Sequence, residues 1–138
     1  TPKGKKATTA PYGNIDRSFD MVELAKGAGA TYVARGDVFH AAMMTNQIVA
    51  AAQHKGFSVL EIISTCPISY GRYNNMPEPA AMLRHIEAHT VTVAKAAAMT
   101  EAELADKIII GEHYVTQLPE YTEEYDRLIA ECQEGGAR

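Results

Sequence analysis

Few residues in this sequence have a type and spacing suited to chemistry, and Cys66 leads them. It lies in Ser64-Thr65-Cys66-Pro67, directly after the run Phe57–Ser64 (FSVLEIIS) and just before Ile68-Ser69-Tyr70-Gly71-Arg72-Tyr73-Asn74. The run is apolar and β-branched between Gly56 and Pro67, which is a strand signature. Open α/β sheets take ligands beyond the carboxyl ends of their strands, so a thiol at this point is placed for metal-binding or nucleophilic work. A cysteine is also a small hydrophobe that packs well, and spacing alone leaves both readings open. Arg72 in the same loop can meet an acidic substrate or a phosphate, or tie down the loop itself. His85 and His89 stand one helical turn apart, a spacing that can share a metal, but His85-Ile86-Glu87-Ala88-His89 is not the zinc-protease pattern and no third ligand is evident. Solvent-facing histidines are the simpler reading. His54, before Lys55-Gly56, falls at a helix C-terminus, where a cation suits the macrodipole. His40, following a strand end, is better placed to face an active-site cavity.

The elements that must position these groups alternate. Met21, Leu24, Ala25 and Ala28 repeat at helical spacing, with Ser18 or Asp16 as a cap and Gly27 and Gly29 as a stop. Thr31–Arg35 (TYVAR) favours a strand. Gly36-Asp37 then begins a second helix whose inward stripe is Met44, Ile48, Ala51 and Ala52. A third helix runs from Pro79 through about Met99, with Met82, Leu83, Ile86, Thr90 and Val93 inward. Asp106–Tyr114 (DKIIIGEHY) reads as another strand. A final helix starts at Pro119, carries Tyr121, Tyr125, Leu128, Ile129 and Cys132 on one face, and ends at Gly135-Gly136. Cys132 on that stripe is a packing residue, and Glu120, Glu123, Glu124, Asp126 and Arg127 form the solvated face. Thr1 to Asn14 is a loop. The order predicts an α/β fold: a parallel sheet with helices on both faces, one domain over residues 1–138. Two or three parallel strands leave unpaired edges, so the sheet is expected to be completed by residues outside this sequence.

Composition narrows the function classes. The 138 residues are 46% hydrophobic and 22% charged, the balance of a globular protein. A net charge of −4 gives non-specific nucleic-acid binding no electrostatic support. No apolar run approaches a membrane span, and no signal peptide is visible. Two cysteines make no disulfide framework, which together favours a reducing cytoplasm. The chain opens without Met in the middle of a loop, which suits a fragment or a processed product.

Four ordered segments, TPKGKKATTAPYGNI, GATYVARGDVFH, HKGFSVLEIISTCPISYGRYNN and IIIGEHYVTQLPEY, cover nearly the whole chain. Together they resemble the C-terminal half of the beta, thiamine-diphosphate-binding subunit of 2-oxoacid:ferredoxin oxidoreductases, most of all the 2-oxoglutarate branch. The resemblance implies part of a parallel-sheet thiamine-diphosphate-binding fold. It implies a part in oxidative decarboxylation of a 2-oxoacid to an acyl-coenzyme A, with electrons leaving through a [4Fe–4S] cluster to ferredoxin. Thiamine diphosphate, Mg²⁺ and the cluster would be the cofactors. The alpha subunit, the missing N-terminal half of the beta subunit, ferredoxin, the 2-oxoacid and coenzyme A would be the partners. The family's strand-ending Cys-Pro supplies the fourth cluster ligand, which maps onto Cys66 as a cofactor- and metal-binding residue. No Cys-x-x-Cys is present, so the other three thiolates are expected on the missing half. The family anchors its diphosphate through Mg²⁺ with Gly-Asp-Gly and later asparagines. Gly36-Asp37-Val38 with Asn74-Asn75 imitates that pattern but lacks the second glycine, and Asp37 is read as a helix N-cap. On this reading the chain alone is incomplete as a catalyst. The alternatives are a thiamine-dependent decarboxylase without a cluster, which would have no use for a thiolate at Cys66, and a non-catalytic α/β interaction module.

Overall fold

The computed structural model describes residues 1–135, so Gly136 and its part in ending the last helix lie outside the described residues. The first helix, α1 (Met21–Gly27), starts where the Asp20 carboxylate accepts the N–H groups of Val22 and Glu23. The cap is therefore Asp20, not Ser18 or Asp16. Val22 and Ala25 are buried, while Met21 and Leu24, expected inside, are 37% and 51% exposed. Strand β1 (Tyr32–Asp37) follows and runs two residues further than its apolar letters suggest. The next helix, α2 (Ala41–Gln53), thus has its cap three residues later than expected, at His40 instead of Asp37, which ends the strand. Its inward stripe is also rotated: Ile48 is 45% exposed, whereas Gln47 is buried and donates from Nε2 to the carbonyl of Arg35 at 3.1 Å.

Strand β2 (Ser58–Ile63) lies parallel to β1, in a register that sets Asp37 opposite Ile63. A single π-helical turn, Pro67–Gly71, and a 3₁₀ turn, Arg72–Asn74, lead to α3 (Pro79–His89). The expected helix to Met99 is interrupted there. Thr90–Thr92 forms strand β3, and the short helices α4 (Val93–Ala96) and α5 (Glu101–Leu104) precede β4 (Ile108–Val115). The reason is local and tertiary together. Thr-Val-Thr is β-branched, which weakens helix and favours strand. Val91 is buried, and the run pairs in register with Ile108–Ile110. The last helix, α6, spans Tyr121–Gly135.

The sheet order is β2-β1-β4-β3. The α/β class holds, but the strands are not all parallel: β1 with β2 and β3 with β4 are parallel, and β1 with β4 is antiparallel. At that junction one extra β4 residue, His113, falls between the pairs Val33–Tyr114 and Ala34–Glu112. Gly111, two residues along β4, has φ +128°, a conformation that favours glycine, and a β-carbon there would lie 3.2 Å from Val93 Cγ2. Alternate residues of β1 face opposite sides. Val33 packs with Val22, Ala25, Ala30 and Val59 beneath α1. Gly36 faces Met44 and Gln47 of α2, and the Tyr32 ring meets His54 with centroids 5.6 Å apart. Helices therefore cover both faces of the β1–β2 pair.

Candidate functional site

Cys66 follows β2 by three residues and caps the π-helical turn, whose proline stands at its first position. Its carbonyl accepts the N–H groups of Tyr70 at 3.1 Å and Gly71 at 2.9 Å, which closes the turn tightly. Gly71 is needed for this closure: a β-carbon there would lie 2.1 Å from the Met76 carbonyl oxygen and 3.0 Å from Met82 Sδ. The turn brings a set of donors to the sulfur. The Ser69 amide holds the thiol below the ordinary cysteine range, against an opposing desolvation effect, and the Ser69 hydroxyl and the amides of Tyr70 and Ile68 add to the lowering. The thiol is free and exposed. An exposed thiol with its pKa held down in this way has the surroundings of reactive and metal-ligating cysteines, and its exposure sets it apart from a cysteine packed in the core.

Beside it lies a largely apolar cavity of about 410 Å³, lined by Ile63–Cys66, Tyr70, Met76, Met82, His85, Ile86 and Ile108, with Thr1 and Pro2. His85 was not expected here. It is half-buried, as is His89, so neither is simply solvent-facing. Their rings lie against each other at a tilt of 38°, with centroids 3.9 Å apart, and His89 contacts the His85 carbonyl through Nδ1 and Asp106 through Nε2 at 3.1 Å. Burial pushes the His85 imidazole below its usual range, reinforced by the neighbouring His89 and Lys5 and opposed by Asp106. Among the described residues no group of three or more His, Cys, Asp and Glu side chains could hold a metal ion.

The remaining candidates fall elsewhere. His54 bonds Thr31 Oγ1 at 2.8 Å at the amino-terminal end of the sheet and serves structure. Arg72 is exposed on the loop after Cys66. Cys132 is exposed, not packed, because the apolar stripe of α6 meets little of this chain. Asn74 holds the loop in place: its side chain accepts from the Lys6 N–H at 2.9 Å and donates to the Lys6 carbonyl at 2.8 Å and the Tyr70 carbonyl at 2.9 Å. Neither Asp37 nor Asn74 is free to bind a metal. Asp37 is fully buried, with its oxygens engaged by His40 and Thr90, so the imitation of a diphosphate-anchoring segment fails on geometry as well as on letters. As for the cluster that the resemblance implies, the exposed Cys66 thiol fits one ligand position, and three further thiolates would have to come from beyond these residues.

Comparison with known proteins bears on the family and the fold. Residues 1–62 match the family described as thiamine pyrophosphate enzyme, C-terminal TPP binding domain. The 2-oxoglutarate synthase subunit KorB of Methanocaldococcus jannaschii is 43% identical over 129 residues, covering 94% of this chain and 48% of that protein. The subunit of the same name from Methanothermobacter marburgensis is 37% identical over 131 residues, covering 95% of this chain and 46% of that one. The chain therefore spans about half the length of the curated relatives it matches. Among solved structures, 2-oxoglutarate:ferredoxin oxidoreductase from Magnetococcus marinus, with 2-oxoglutarate, coenzyme A and succinyl-CoA bound, superposes with a TM-score of 0.73 at 19% identity. That match covers 96% of this chain and 46% of the other, and establishes the fold.

Proposed function

We infer that the chain belongs with the beta subunits of 2-oxoacid:ferredoxin oxidoreductases, to which the relatives matching nearly all of it point, and propose that it is the C-terminal portion of a subunit that oxidatively decarboxylates a 2-oxoacid to an acyl-coenzyme A. The substrate is 2-oxoglutarate, the compound in the names of the relatives that match nearly the whole chain. The rest of the beta subunit and an alpha subunit complete the enzyme, and ferredoxin takes the electrons. Thiamine diphosphate, with Mg²⁺ held outside this chain, supplies the carbanion-stabilising chemistry of decarboxylation, and a [4Fe–4S] cluster supplies one-electron transfer.

The observation that carries this reading is the Cys66 sulfur, exposed at the carboxyl end of β2 with amide donors from Ile68 to Tyr70 around it. Cys66 is the one cluster ligand in this chain. The amides that lower its thiol pKa also delocalise charge on a metal-bound sulfur, which raises the cluster potential. An apolar cavity adjoins that sulfur, with Met82 and Ile86 in its wall. A reducing compartment, the cytoplasm, suits a chain whose two cysteines are free thiols.

The test is made on the assembled enzyme, prepared without oxygen. Cys66→Ala should lower iron content, alter the cluster EPR signal and abolish most ferredoxin reduction, while 2-oxoacid decarboxylation survives because it depends on the thiamine chemistry. Cys132→Ala should leave iron and ferredoxin reduction near wild type. Normal iron together with normal ferredoxin reduction in Cys66→Ala removes Cys66 from the cluster.

A further inference from the structure

Asp37 is a fully buried carboxylate that the preceding function does not use. It receives the His40 amide at 2.7 Å, His40 Nδ1 at 3.0 Å from each of its oxygens, and the Thr90 hydroxyl at 3.1 Å. Converging donors suit a carboxylate, and a carboxylate only accepts, so His40 Nδ1 carries a hydrogen. The ring then presents Nε2 with its lone pair, the atom that can take a proton. The His40 side chain is 35% exposed, so that atom's ring is within reach of a ligand. Phe39 meets the ring edge-on, with centroids 5.1 Å apart.

The placement matters as much as the pair. Asp37 ends β1 opposite Ile63, which ends β2. His40 and Cys66 each stand three residues beyond the carboxyl ends of adjacent parallel strands, the edge at which such sheets bind ligands. We propose that Asp37 and His40 form an oriented carboxylate–imidazole pair that accepts the proton of the coenzyme A thiol. The proposal rests on the function given above, which supplies that thiol. In the step, the S–H bond breaks, an Nε2–H bond forms, and the electron pair stays on sulfur. Thiolate, not thiol, is the nucleophile that acyl transfer needs. The imidazolium is stabilised by Asp37 beside it and then releases its proton to water. Asp37 is a positioning residue: it fixes the tautomer and the ring angle and touches no substrate.

The experiment compares two half-reactions of the assembled enzyme, CO₂ release from the 2-oxoacid without coenzyme A and thioester formation with it. In His40→Ala, thioester formation should fall by about 10²–10⁴-fold, the usual worth of a general base, and by far more than CO₂ release does. Free imidazole should restore part of the loss. Asp37→Asn, which keeps an oxygen facing the ring, should give a smaller loss with the same selectivity, and thermal unfolding of both variants reports whether they fold. Equal loss of both half-reactions with no rescue by imidazole assigns the pair to holding β1, α2 and β3 together and overturns the proposal. Thioester formation at the wild-type rate in His40→Ala also overturns it. A wild-type complex that makes no thioester at all overturns the function itself, a failure distinct from the other two.

Discussion

A cysteine gains its chemistry from the few atoms around its sulfur. The Ser69 amide is the largest influence lowering the Cys66 thiol, so the thiolate is populated at a lower pH than in an unstructured peptide. The sign follows from linkage: a depressed acid favours the folded turn above the unfolded thiol's pKa and loses that advantage as pH falls through the folded value. The expected outcome is measurable in this chain alone. Alkylation of Cys66 by iodoacetamide, followed by mass spectrometry across a pH series, should reach half its maximal rate at lower pH than glutathione does. Identical profiles would mean that the amides do not reach the sulfur. Gly71 tests the same turn from the packing side. Gly71→Ala forces a β-carbon against the Met76 carbonyl, backbone that cannot swing away, and should cost about 1–3 kcal/mol in denaturant unfolding. It should also move the alkylation profile toward that of glutathione.

Elements differed in how far their sequences revealed them. Both long strands were legible, because Ser58–Ile63 and Ile108–Val115 are β-branched runs whose preference agrees with their burial against neighbours. The break at Thr90–Thr92 was not, since helical periodicity continued through it and only pairing with Ile108–Ile110 decides in favour of strand. The face of α3 was read correctly in Met82 and Ile86, but those of α1 and α2 were partly misjudged for a different reason: periodicity finds an apolar stripe but not what covers it. The position of Cys66 could be read from the strand before it, whereas its amide donors depend on a π-helical turn that no spacing rule signals. The Asp37–His40 pair was hidden too, because Thr90, which completes it, lies 53 residues away. The stripe of α6 can be tested directly. Leu128 and Ile129 are 52% and 41% exposed, so Leu128→Glu and Ile129→Glu should each change the stability of this chain by no more than about 0.5 kcal/mol. Ile110→Ala, at a site with no exposure, should cost about 2–5 kcal/mol by the same urea titration. Comparable losses at all three positions would show that α6 packs in solution.

For the molecule as a whole, the described residues leave β2 and β3 as the outer strands of the sheet. They also leave Ile15, Phe19, Ile68, Leu118 and Tyr121 more than half exposed, an apolar surface unusual for a free-standing domain. Unpaired strand edges and apolar faces seek partners. The chain by itself should therefore associate, either with the rest of a beta subunit supplied in trans or with itself, and its sedimentation coefficient should rise with concentration. A monomer that persists at millimolar concentration and unfolds in one cooperative transition would contradict this.

The Asn74 amide gives the molecule a clock. It pairs with the Lys6 backbone on both sides as a neighbouring strand would, joining the start of the chain to the loop beyond Cys66. Deamidation during storage would turn it into aspartate, which accepts but cannot donate. The Lys6 N–H would keep its acceptor, while the carbonyls of Lys6 and Tyr70 would both lose their donor. An aged preparation would thus release its N-terminal loop while its sheet stayed intact, and its loss of function would be chemical wear at one amide rather than unfolding.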